Sequence, residues 1–101
     1  MDIIDVEKMV LSAARELNLQ QPEDRQLELE PETQLFGRGS KLDSLGLVNL
    51  IVMVEEKALD EFDAIITIAD ERAMSQKNSP FRTIRSLSEY VLELIKEQQN
   101  A

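Results

Sequence analysis

Ser44 is the hydroxyl in this chain best placed for chemistry, between Asp43 and Leu45 where a flexible loop meets the start of a helix. A nucleophilic serine needs a base within hydrogen-bond reach. The sequence has no histidine, and no Gly-x-Ser-x-Gly turn surrounds Ser44. Read from its position alone, the hydroxyl is a helix cap that accepts a backbone N–H. The absence of histidine and cysteine also removes the usual zinc ligands, disulfides and thiolate sites. Carboxylates could hold Mg²⁺ or Ca²⁺, but no loop has EF-hand spacing, so no metal site is expected. No carboxylate pair stands out at acid–base spacing, and no segment resembles a phosphate-cradling loop. No catalytic residue is therefore assigned, and the chain is not expected to be an enzyme.

The bulk composition narrows the partners. Twenty acidic against 11 basic residues give a formal charge of −9, which argues against nucleic acid and against an anionic membrane surface. Such a charge maintains solubility, or steers the chain toward basic patches on partner proteins. The length of 101 residues suits one domain, 1–101, with a single modest core. The N-terminus shows no signal-peptide pattern, and the apolar run Leu45–Val54 is too short to span a bilayer. A monomer in the cytoplasm, without stable membrane insertion, is the expectation.

The elements that must position Ser44 can be read from hydrophobic period. Ile3, Val6, Val10, Ala13, Ala14 and Leu17 recur at three- and four-residue steps, so a helix is expected from about Ile3 to Leu17, capped by Asp2 and ended by Asn18. A long connection follows, broken by Pro22 and Pro31, with Leu27, Leu29, Leu35 and Phe36 as anchors to the core. A second helix is expected from Asp43 to about Leu59, an irregular link from Phe62 to Thr67, and a short helix from Ala69 to about Gln76. Thr83 should cap a last helix running to about Glu97, with Ile84, Leu87, Val91, Leu94 and Ile95 on its buried face and a frayed tail from Gln98. The fold expected is all-α, a small four-helix bundle of three longer helices and one short one, with a long first loop.

The second helix carries two apolar sets. Leu47, Leu50, Ile51 and Val54 form a core stripe, while Leu45, Val48 and Val52 lie on its flank. Either the helix is covered nearly all round, or the second set stays exposed as a docking strip extended by Glu55 and Glu56.

The segment Leu42-Asp43-Ser44-Leu45-Gly46-Leu47, followed by an apolar helix with Glu55-Glu56, resembles the acyl carrier protein family. So does Ser79-Pro80-Phe81-Arg82-Thr83-Ile84 leading into Leu87, Tyr90 and Val91. The resemblance implies that Ser44 receives 4′-phosphopantetheine from a separate phosphopantetheinyl transferase, with Asp43 and Leu45 flanking the attachment point. Asp43 would orient the site or contact the transferase. The thiol of the arm would carry an acyl chain as a thioester for a ligase, synthase or acyltransferase with a basic docking patch. Partner contacts would fall on Leu45, Val48, Val52, Glu55 and Glu56. A phosphate at a helix N-terminus would face unpaired N–H groups and the positive end of the helix dipole. Leu50, Ile51, Val54 and Ile66 are the residues that could line a space for the acyl chain.

Common fatty-acid carriers are acidic in the first turns of the recognition helix, where this chain has Gly46 and Asn49. Arg38 and Lys41 lie close to the site, and Arg72, Lys77, Arg82 and Arg85 cluster late in the chain. These departures point to a specialised carrier in a fatty-acid, lipid or secondary-metabolite pathway. Two alternatives stand beside it: a peptidyl or aryl carrier loaded by an adenylating enzyme, and an unmodified acidic helical adaptor in which Ser44 is only a cap.

Overall fold

Asp2 and Asp5 start the first helix by capping each other. The Asp5 N–H donates to Asp2 Oδ1 at 3.2 Å and the Asp2 N–H to Asp5 Oδ2 at 3.3 Å, which satisfies two donors that a helix start otherwise leaves unpaired. The computed structural model describes residues 2–35, 40–68 and 80–99, with the Ser44 side chain outside that description. In it α1 spans Ile3–Asn18, and Val6, Met9, Val10, Ala13, Ala14 and Leu17 are buried. Met9 joins the expected stripe, while Ile3 at its edge is only half-buried.

Asn18 ends α1 and also holds the loop that follows. Its Nδ2 donates to the Leu27 carbonyl at 2.9 Å, and its Oδ1 accepts the Leu27 N–H at 2.7 Å. The side-chain amide thus gives Leu27 the pairing that a neighbouring strand would supply, and Leu27 is buried. Leu35 is a second anchor, but Leu29, expected as a third, is 39% exposed. Further on, Gln34 and Thr83 form an isolated antiparallel bridge, and the Leu35 N–H donates to the Arg82 carbonyl at 2.8 Å.

The second helix, α2, spans Ser44–Phe62, about a turn beyond its expected end. It stops at Asp63, whose left-handed φ of 52° lets the Asp63 and Ala64 N–H groups reach back to the Leu59 and Ala58 carbonyls. The last helix, α3, spans Ile84–Gln99. Thr83 caps it as expected, with Oγ1 accepting the Ser86 N–H at 3.0 Å. The loop after α1 caps it as well. The Ile84 N–H donates to the Thr33 carbonyl and the Arg85 N–H to the Pro31 carbonyl. The tail is not frayed at Gln98. That side chain pairs both ways with the Ile65 backbone, at 2.9 and 2.6 Å.

Helix α1 packs against both α2 and α3. The core between them contains Leu47, Leu50, Ile51, Val54 and Ala58 from α2, and Ile84, Leu87, Tyr90, Val91 and Ile95 from α3, with Leu94 half-buried beside them. Each fully buried Leu or Ile contributes about 1.5–3 kcal/mol relative to exposure. The result is a small all-α bundle of three helices, with no strand among the described residues. The short helix expected from Ala69 to Gln76 lies outside the described residues, as do Phe36, Arg38, Arg72 and Lys77.

Candidate functional site

The start of α2 is built by Asp43 rather than by Ser44. Asp43 is the N-cap, in extended backbone, and its Oδ1 accepts the Gly46 N–H at 2.7 Å. Its carbonyl accepts the Leu47 N–H at 3.0 Å. Ser44 is therefore the first residue inside the helix, and the capping role that sequence assigned to its hydroxyl is filled by its neighbour. A carboxylate is as good a cap as a hydroxyl, so the Asp-Ser pair left the choice open.

The first turn is close-packed around that carboxylate. A Cβ added at Gly46 would stand 3.2 Å from Asp43 Oδ1 and 3.2 Å from Leu42 Cδ2, which is why a residue of low helix propensity occupies the third position of the helix. Asp43 Oδ2 lies 3.8 Å from Arg25 Nη1, with both side chains more than half exposed. Sequence spacing gave no sign of Arg25, because seventeen residues separate it from Asp43. Lys41, expected near the site, is exposed. Arg85 is unavailable for a positive patch, since it faces Glu7 at 3.7 Å and Glu32 at 3.3 Å.

The two apolar sets of α2 separate cleanly. Leu47, Leu50, Ile51 and Val54 are buried. Leu45, Val48 and Val52 are 68%, 53% and 45% exposed, so the helix is not covered all round. Leu59 extends the same strip at 46% exposed. It was missed because the helix was expected to end there, although it lies seven residues beyond Val52 and so on the same face. Glu56 is exposed. Glu55 is half-buried, and its Oε2 accepts the Ile68 N–H at 2.8 Å.

The surface is indented beside the long loop and along α3. One indentation is lined by Leu27, Glu28, Glu32, Thr33, Gln34 and Lys41. The other runs along α3 beside Glu89, Leu92, Glu93 and Lys96. Neither is lined by Leu50, Ile51, Val54 or Ile66, and Leu50 and Val54 are fully buried in the core. Among the described residues no acidic cluster is arranged to hold a metal ion, and no helix is long and apolar enough to cross a membrane.

What this arrangement offers chemically is a helix mouth beside a greasy, acid-edged face. By helix geometry the first amides of α2, ahead of those taken by Asp43, have no intrahelical partner, and the dipole there favours an anion. No protein-family profile, curated protein or solved structure matches the chain, so the likeness to acyl carriers rests on the short motifs themselves.

Proposed function

We propose that the chain is a specialised acyl carrier, esterified on Ser44 by 4′-phosphopantetheine. One observation carries the proposal. The serine of the Asp-Ser-Leu triplet is the first residue of a 19-residue helix on which Leu45, Val48 and Val52 are exposed and apolar. The attachment point and a docking face for the enzymes that would use it then share one helix.

The residues present fit such a group. A phosphodiester on Ser44 would sit where the helix dipole and free amides favour negative charge. Asp43 holds the first turn through Gly46, so it would keep the attachment point in a fixed orientation. Arg25, within 3.8 Å of Asp43, would offset part of the added charge. The transferase would form a phosphate ester to the Ser44 oxygen and break the pyrophosphate bond of coenzyme A, with adenosine 3′,5′-bisphosphate leaving and the hydroxyl proton lost to solvent. The terminal thiol of the arm supplies the thioester chemistry, which this chain, having no cysteine, cannot supply itself.

Partners would be a phosphopantetheinyl transferase and a ligase, synthase or acyltransferase with a basic, apolar docking patch. The exposed strip equally supports an unmodified adaptor, which needs Leu45, Val48 and Val52 but not Ser44. Intact-mass measurement after incubation with coenzyme A and a broad-specificity transferase separates the two. A carrier gains one arm that maps to Ser44 and is lost in Ser44→Ala. An adaptor gains nothing.

A further inference from the structure

Glu55 belongs to two surfaces at once. It borders the exposed strip of α2, next to Glu56 and between Val52 and Leu59. Its Oε2 also accepts the N–H of Ile68, thirteen residues on, at 2.8 Å. Ile68 is fully buried, so its amide has no ready access to water if that acceptor is withdrawn. No cation pairs with Glu55 among the described residues.

Beyond the cap residue of α2, the stretch 64–68 forms a strap with three polar ties among the described residues. Its first is the helix-end bond from the Ala64 N–H to the Ala58 carbonyl. The second is Gln98 of α3, which pairs both ways with the Ile65 backbone. The third is Glu55. Ala64 and Ile68 reach the core while Ile65 is 75% exposed. The first two ties are neutral. The third is a carboxylate at the strip's edge, so it alone can be contested by something that docks there.

We infer that Glu55 is a latch, and that a cationic group on a partner seated along Leu45, Val48, Val52 and Leu59 draws its carboxylate from the Ile68 N–H and loosens the strap at 66–68. The inference rests on the strip being a docking face and not on the modification of Ser44. A guanidinium presents a charged fork of N–H donors, which a carboxylate accepts in preference to one neutral amide. The displaced amide must then find water, and that requires the strap to move. The coupling is reciprocal: whatever opens the strap frees Glu55 and tightens cation binding by the same factor. Gln98 confines the opening, because Ile65 keeps both of its bonds.

The test is residue-resolved amide exchange on the full chain, with a synthetic amphipathic helical peptide bearing leucine and arginine on one face as probe. A peptide with citrulline for arginine serves as the neutral control. Glu55→Ala should speed exchange at Ile68 about tenfold or more, with Ile65 little changed. Glu55→Gln, whose amide oxygen still accepts, should speed it less. The arginine peptide should shift the resonances of Leu45, Val48 and Val52 and speed Ile68 exchange. The citrulline peptide should leave Ile68 unchanged. The latch is refuted if Glu55→Ala leaves Ile68 protected. It is equally refuted if the arginine peptide occupies the strip through the other carboxylate oxygen without altering Ile68, or does not bind the strip at all. Mass gain at Ser44 is a separate readout, so a chain that shows the coupling yet takes no arm would overturn the carrier reading and leave the latch standing.

Discussion

Replacing Asp43 and Ser44 one at a time tests the architecture of the site, because Asp43 caps the helix and Ser44, one position inside it, is the proposed attachment point. Asp43→Ala removes the acceptor of the 2.7 Å bond from the Gly46 N–H. Loss of such a cap costs about 1 kcal/mol, within a range of roughly 0.5–2. The contact with Arg25 adds a few tenths of a kcal/mol at most, being 3.8 Å long and more than half exposed on both sides. For a domain of this size that loss lowers the midpoint of thermal unfolding by about 4–8 °C. Ser44→Ala acts one position inside the helix, where alanine is the better helix former, so stability should stay within about 0.5 kcal/mol of the parent. Asp43→Asn keeps a good cap and should likewise cost only a few tenths. Urea unfolding of the three variants gives the stabilities, and intact mass after treatment with transferase and coenzyme A gives the loading. The expected pattern is a stable Ser44→Ala that takes no arm and a destabilised Asp43→Ala. Asp43→Asn should be stable, and its loading rate would then report what the carboxylate charge does for the transferase. If Ser44→Ala loses a full kcal/mol while Asp43→Ala loses none, the cap has been assigned to the wrong residue. If Ser44→Ala still gains the mass of an arm, the attachment site lies elsewhere.

Substitutions at four further positions probe the site's surroundings. Asn18→Ala removes both bonds to the Leu27 backbone and should cost about 2 kcal/mol in urea unfolding; Asn18→Asp, which keeps only the acceptor, should cost less. Val48→Glu on the exposed strip should change stability by no more than about 0.5 kcal/mol while slowing transfer of the arm or capture by a loading enzyme, whereas Leu50→Ala, two residues on and fully buried, should cost about 2–5 kcal/mol. Asp63→Gly relieves the left-handed backbone at the end of α2, where φ is 52°, and should raise stability by about 0.5–1 kcal/mol, visible as a higher unfolding midpoint.

Helical period made the core of each helix legible. Val6, Val10, Ala13, Ala14 and Leu17 in α1, and Leu47, Leu50, Ile51 and Val54 in α2, are all buried where the repeat places them. The same arithmetic separated the outward set Leu45, Val48 and Val52, because a 100° step assigns each residue to a face without any knowledge of its neighbours. Helix ends were less legible. Asp63 terminates α2 by adopting a left-handed conformation, which glycine would have advertised and aspartate does not. The Gln98 tail was read as frayed because nothing local marks a glutamine whose partner is the backbone of Ile65, 33 residues earlier. Asn18 and Glu55 were singled out, as a helix end and a docking contact, but their bonds were not: each bonds backbone across a tertiary distance, and a polar side chain on a helix surface looks the same in sequence whether it faces solvent or a strap.

The long connection between α1 and α2 is more chain than joining two helices requires, but its bonds give it a structural purpose. Leu27 and Leu35 secure it to the core. Between them, the Pro31 and Thr33 carbonyls accept the Arg85 and Ile84 N–H groups at the start of α3. Those amides sit where a helix lacks internal acceptors, so the loop completes α3 before it reaches Asp43. Residues 27–35 of the connection are thus bonded to α3 and, through Asn18, to α1. A short loop could join α1 to α2, but it could not cap a third helix.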